Sequence, residues 1–315
     1  MARFIKNIIL MLIYLTLILG GLTALVFHNC IPQYTRNFQA SFLDKMDRLY
    51  RINEPKIILV GNSNLSFGMD SELLSAELGM PVVNLGLNGD LGNAFHEDMA
   101  RQCIKQGDLV IVCHSDYNDT DRILDPALAW ITIEDHYDYW SVIRPKDIPL
   151  MLTGLPKYLE RATDLYVEKT GNRESDGPYT RSAFNELGDN VYPREQRICD
   201  LSEFEDPVAP EYSRACVSRL NDLNAYCLEQ GAVMVVAGWP IPDGDYNFPK
   251  QVYGDFGKEL DEVLDCPVIS DFKDYCTDYD FFYDSNLHLN KLGVEMRTKL
   301  LIEDVKRFWG VEEDD

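Results

Sequence analysis

Four short polar clusters hold the side chains best suited to chemistry. Gly61-Asn62-Ser63-Asn64 follows the apolar run Lys56-Ile57-Ile58-Leu59-Val60. Asn84-Leu85-Gly86-Leu87-Asn88-Gly89-Asp90-Leu91-Gly92 overlaps the end of a second run, Pro81 to Leu85, and His114-Ser115-Asp116-Tyr117-Asn118-Asp119 follows a third, Leu109 to Cys113. Tyr283-Asp284-Ser285-Asn286-Leu287-His288-Leu289-Asn290 stands much later, just before the last helical stretch. A serine at a strand-to-helix turn presents its hydroxyl and its own N–H to one point, and the glycine before it permits a tight bend. A glycine in the second cluster lets a backbone N–H approach a ligand closely. With a histidine as base, such groups suit acyl transfer through a serine ester. Taken singly, Ser63 is an ordinary turn residue and His288 an ordinary capping or surface histidine. Together, at matching ends of a sheet, they stand apart from His96, His114 and His136, which have no partner pattern and read as structural.

The elements that must position these clusters alternate. Buried strands are expected at 56–60, 81–85 and 109–113, with helices at 70–78 and 93–106 between them. The pattern resumes with a helix at 210–229, a strand at Ala232 to Ala237, a helix at 250–264, a short strand at Pro267 to Ser270 and a final helix from Lys291 to Trp309. Short apolar strands alternating with helices indicate an α/β fold with a doubly wound, five-stranded parallel sheet. In such sheets ligands bind beyond the carboxyl ends of the strands, where the first three clusters fall. Residues from about 120 to 207 carry no steady period and are too long for a plain loop, so an inserted subdomain or lid is expected there. Its aromatic residues, among them Tyr137, Tyr139, Trp140 and Tyr179, suit either rim packing or stacking on sugar rings.

In order and spacing the four clusters resemble the sequence blocks of the SGNH/GDSL hydrolases. The resemblance covers residues 55–119 and 230–309 and implies the flavodoxin-like fold of that family. It implies Ser63 as nucleophile, with Asn62 in place of the usual aspartate, Gly89 as the block-two glycine and His288 as the base. The family's acid stands three residues before the histidine, the position of Ser285. Asp284 stands four before and is the expected acid if the loop carries one extra residue, with Asp280 and Asp278 as alternatives. The oxyanion would then meet the N–H groups of Ser63 and Gly89, with Asn118 as a third donor unless Asp116-Tyr117 occupies that place. The Gly-x-Ser-x-Gly elbow of α/β-hydrolases, a P-loop and a dinucleotide fingerprint are all missing.

Residues Ile8 to Phe27 form an apolar run of bilayer-spanning length, preceded by Arg3 and Lys6. The chain therefore divides into an anchor at 1–30, a stalk at 31–54 and an α/β domain at 55–315. The expected location is the cell membrane, single-pass, with the C-terminal domain extracytoplasmic. The formal net charge of −23 argues against nucleic-acid binding. Cys199, Cys266 and Cys276 look better placed for disulfides than Cys113, Cys216 or Cys227, and no zinc-type spacing occurs. Neither a metal nor a cofactor is expected. The resemblance and the anchor imply an esterase or O-acyltransferase acting on acyl groups, acetyl first, of an exported or surface polysaccharide. The rival expectation is a non-catalytic scaffold that partners a membrane-bound O-acyltransferase.

Overall fold

The computed structural model describes residues 1–119, 121–173, 175–200, 209–243 and 249–311. The chain opens with α1 (Ala2–Cys30), long and apolar enough to cross a membrane. The segment expected as a stalk is instead part of the domain. A 3₁₀ turn (Phe38–Ala40) leads into α2 (Ser41–Arg51), which buries Phe42, Met46 and Leu49 completely. Their spacing places them on one helix face. The buried Lys45 beside them obscures that face in the sequence: its Nζ donates to the Asn84 and Gly188 carbonyls at 3.0 and 2.5 Å.

Four parallel strands form the sheet in the order β2-β1-β3-β4: β1 (Ile57–Val60), β2 (Val82–Asn84), β3 (Leu109–Val112) and β4 (Val233–Val236). Ile57 pairs with Val82 on one side and Leu109 on the other, and Leu109 pairs with Val233. Apart from Asn84 at the end of β2, the strands are apolar, and nearly all their residues are buried because both faces are covered. Ile58, Val60, Val110 and Val112 join one hydrophobic cluster, and Ile57, Leu59, Leu109 and Ile111 join the other. At the strand bases Lys56 and Asp108 form a fully buried ion pair at 2.8 Å, and the Lys56 N–H donates to the same carboxylate. That pair pins the β1–β3 register.

Between the strands run α3 (Ser63–Ser66), α4 (Ser71–Leu78) and α5 (Asn93–Arg101). The expected insertion, of which 120, 174 and 201–207 lie outside the described residues, contains α6 (Pro126–Thr132) and α7 (Ile148–Glu168). It does not stand apart as a separate subdomain. Ala129, Trp130, Met151 and Tyr158 enter the same cluster as the sheet residues. Then follow α8 (Arg214–Glu229), α9 (Gln251–Val263) and α10 (Lys291–Phe308). Side-chain caps start several of these helices: Asp70 on Leu73, Asp125 on Ala127 and Leu128, Asn290 on Gly293.

The strand expected at Pro267 to Ser270 shrinks to one parallel bridge, Val236 with Val268. Val236 N–H donates to the Pro267 carbonyl and Ile269 N–H to the Val236 carbonyl, both at 2.9 Å. The ladder stops there because Ser270 turns its hydroxyl to Asp304, and the chain enters a 3₁₀ turn at Phe272–Tyr275. A separate two-stranded parallel pair joins β5 (Ile241–Pro242) to β6 (Cys276–Thr277). Cys266 and Cys276, expected as bridge candidates, are buried free thiols, as are Cys113, Cys216 and Cys227.

Candidate active site

Ser63 opens α3 immediately beyond β1. The bend before it needs glycine: a Cβ on Gly61 would lie 2.7 Å from the Cys113 carbonyl oxygen. Asn62 holds the turn with both ends of its amide. Its oxygen accepts the Asn64 N–H at 2.9 Å and the Asn64 amide at 2.6 Å, while its nitrogen donates to Ser115 Oγ at 2.7 Å. An aspartate, which only accepts when ionised, would have to reverse this bond and take the Ser115 O–H instead. The buried Arg297 of α10 donates to Asn64 O and Oδ1 at 2.6 and 2.8 Å, so the last helix fixes the turn as well.

His288 arrives from the loop before α10. The Tyr283 N–H donates to the His288 carbonyl at 2.8 Å, closing that loop, and Ser285 Oγ accepts the His288 N–H at 3.3 Å. Ser285 therefore serves the backbone, and Asp284 reaches the ring. His288 Nε2 lies 2.9 Å from Ser63 Oγ, and its Nδ1 lies 2.7 Å from Asp284 Oδ1. The imidazole stacks on Phe67 with centroids 4.0 Å apart and planes 12° from parallel. The Arg194 guanidinium covers the Phe67 ring at 5.0 Å. This chain of contacts restrains the ring in the plane that both hydrogen bonds need.

Tyr179 completes the array from the insertion. Its hydroxyl donates to Asp284 Oδ2 at 2.5 Å and lies 3.3 Å from His288 Nδ1. Burial pushes the Tyr179 phenol well up, and the Asp284 hydrogen bond adds to the effect, so it stays a donor. Burial would also raise the Asp284 carboxyl, but the hydrogen bond and charge of His288, the Tyr179 hydroxyl and Arg194 outweigh it. The carboxyl is held below its usual range. The carboxylate thus stays ionised while it orients the imidazole.

Ser63, His288 and Tyr179 face a cavity of about 460 Å³ shared with Asn88, Gly89 and Asp90 from the loop after β2. Asn37, Phe38 and Gln39 form one wall and Leu128 and Ile131 of α6 another. Gly89 stands over Asn62, and a Cβ there would meet the Asn62 side chain at 3.6 Å. Behind this loop His96 Nε2 lies 3.2 Å from the Asn88 carbonyl.

The structure does not bring Asn118 to this cavity. Its backbone N–H donates to Asp116 Oδ1 at 2.8 Å, and its amide faces Glu211 at 3.4 Å on the surface. Tyr117 is buried beside Trp239 and Phe256, which carries the exit of β3 away from Ser63. From the third cluster it is Ser115, through Asn62, that supports the site. Asp278 and Asp280 also stand apart: Asp278 caps the Asp280 N–H, and Asp280 is exposed with Arg197 at 4.0 Å. Sequence reasoning missed Asn37, Phe38 and Gln39, placed in a stalk, and the hydrogen bond of Tyr179. A signal for the former was available in the helical spacing of Phe42, Met46 and Leu49 just downstream.

The chain was compared with known proteins in three ways, and no family model, no curated protein and no solved structure matches it.

Proposed function

We propose that this chain is a membrane-anchored serine esterase or O-acyltransferase of the SGNH/GDSL type, its sheet a shortened form of that family's doubly wound fold. The observation that carries the reading is the continuous array Asp284–His288–Ser63 facing a cavity. Ser63 Oγ attacks an ester carbonyl while His288 Nε2 takes its proton, and Asp284 stabilises the imidazolium. The N–H groups of Ser63 and Gly89 receive the oxyanion, each worth about 3 kcal/mol in such a setting. The imidazolium returns the proton to the leaving alcohol as its C–O bond breaks. Water or an acceptor hydroxyl then attacks the Ser63 ester, losing its proton to His288 and freeing the serine. The reading calls on no cofactor.

Arg3 and Lys6 before the apolar run favour a cytoplasmic N-terminus and an extracytoplasmic domain. With that orientation, acyl groups on an exported or surface polysaccharide are the substrate class within reach. Fluorophosphonate labelling of the full-length chain tests the reading, beside Ser63→Ala and His288→Ala. Labelling at Ser63 that vanishes in both variants is expected. A folded chain that takes no label would sink the catalytic reading and favour a scaffold for a membrane-bound O-acyltransferase.

A further inference from the structure

We infer that the ester attacked by Ser63 is carried on a membrane-embedded molecule and meets the site within the layer just above the headgroups. This inference rests on the esterase reading above and adds where the substrate is presented. The apolar run of α1 ends at Phe27, so a span of about 30 Å from Ile8 leaves Phe27 at the edge of the hydrocarbon. That ring sits among Trp130, Tyr137 and Tyr158, with centroids 6.3, 6.1 and 6.3 Å away. The domain is therefore seated on the end of the anchor.

The junction beyond Phe27 is clasped. The Glu134 carboxylate accepts the N–H groups of Gln33 and Tyr34 at 2.8 and 2.7 Å and the Tyr158 hydroxyl at 3.0 Å. Asn172 donates to the Pro32 carbonyl at 2.9 Å and accepts the Thr35 N–H at 2.8 Å. A peptide held at this many points does not act as a swinging tether. Near it, at the end of α7, Tyr166 and Val167 are 49% and 70% exposed, apolar surface of the kind an interface accommodates.

The cavity lies close to this seat. Trp130 and Ile131 are consecutive residues of α6: the first meets the anchor, the second lines the cavity. A helix with its side chains is about 10–12 Å across. Phe38, another wall residue, follows Cys30 by a segment no longer than roughly 28 Å at full extension. Both bounds keep the cavity within a few tens of ångströms of the membrane at a set height. A polymer free in solution gains nothing from that placement. An ester borne by a lipid, or by a glycan still attached to one, is confined to the same layer and meets the site at raised effective concentration.

The test places full-length protein in phosphatidylcholine vesicles and offers umbelliferyl butyrate either free or tethered closely to phosphatidylethanolamine. A second protein carries a helical spacer of about 30 residues, roughly 45 Å, between Cys30 and Ile31. The expected result is about ten-fold or greater loss on the tethered ester for the spacer variant, with the free ester unaffected. Equal turnover of the tethered ester by both proteins overturns the inference. Energy transfer from a fluorophore on Asp90→Cys, in a Cys199→Ser background, to headgroup-labelled lipid reads the height without any turnover. Strong transfer in the native junction is expected, and its absence overturns the inference even if the spacer variant misfolds. Loss of turnover on both esters in the native chain, with transfer retained, would instead count against the esterase reading alone.

Discussion

Two histidine–carboxylate pairs in this molecule look alike at the level of bonds. His288 meets Asp284 at 2.7 Å and His114 meets Glu97 at 2.9 Å. Their surroundings differ. The far nitrogen of His288 reaches a serine hydroxyl in a cavity, whereas the far nitrogen of His114 is buried with no hydrogen-bond partner among the described residues. Glu97 is tied on its other side to the buried Arg219 at 2.7 Å, which in turn holds Asp119. One pair is open to a reactant and the other is sealed as a structural clamp between α5, α8 and the end of β3. A histidine and its acid therefore do not define a site; access and a third group do.

Exchanging each carboxylate for its amide breaks the comparison most sharply. On the esterase reading proposed above, Asp284→Asn is expected to lower ester turnover by about a thousand- to ten-thousand-fold, since the imidazole loses its orienting acceptor. Its urea midpoint should move little. Glu97→Gln should do the reverse, costing about 3 kcal/mol of stability because Arg219 loses the most deeply buried of its counter-charges while Asp119 stays beside it, with turnover per folded molecule retained. Steady-state kinetics and urea unfolding on the same two samples decide it. If Glu97→Gln abolished turnover in a fully folded protein, the clamp would belong to the site.

Acid should separate the pairs next. Burial and the nearby His114 hold His96 down to about 3 from the ordinary 6.5, so the unfolded chain takes up that proton first. Stability from the neutral ring is complete above pH 6.5 and is lost progressively as pH falls toward 3. Burial would raise Glu97, yet the His114 hydrogen bond and the Arg219 charge depress it to about 2. Its contribution is present above pH 4.5 and fades as pH falls toward 2. Urea midpoints at pH 7, 5 and 3.5 should decline steadily, and Glu97→Gln should flatten the lowest part of the curve.

Smaller effects sharpen the site side of the comparison. Tyr179→Phe removes one donor to the Asp284 carboxylate, and a roughly three- to ten-fold fall in kcat is expected, about 1 kcal/mol. A change in KM alone would mean that the phenol contacts substrate rather than the acid. Asn118→Ala, on the surface beside Glu211, should stay within about two-fold of the native rate. A hundred-fold loss there would restore it as an oxyanion donor.

Much of the framework was legible because its physics is local. The four strands read as apolar runs since both their faces are covered, and Asp70 announces its helix by capping it. The missed features each depended on a partner far along the chain. Segment 31–54 looked like a polar stalk because Lys45 interrupts its apolar face, and the carbonyls that receive Lys45 belong to Asn84 and Gly188. Tyr179 gave no hint of its target, since its acid stands at 284. Asn118 was open as a donor against Asp116-Tyr117, and the burial of Tyr117 beside Trp239 and Phe256 leaves Asn118 on the surface facing Glu211.

By itself the sequence determined the parallel α/β framework, a first helix long and apolar enough to cross a membrane and the residues Ser63, His288 and Asp284 as a set worth bringing together. Apolar periodicity, caps and strand-end loops are short-range properties, and a few neighbouring residues suffice to specify them. Only the tertiary structure decided that Asp284, and not the alternatives Asp278 and Asp280, meets the imidazole, that Phe67 and Arg194 brace it and that Tyr179 holds the acid. It also decided that the post-anchor segment walls the cavity. Those outcomes follow from which side chains the packed core leaves room for across more than a hundred residues of chain.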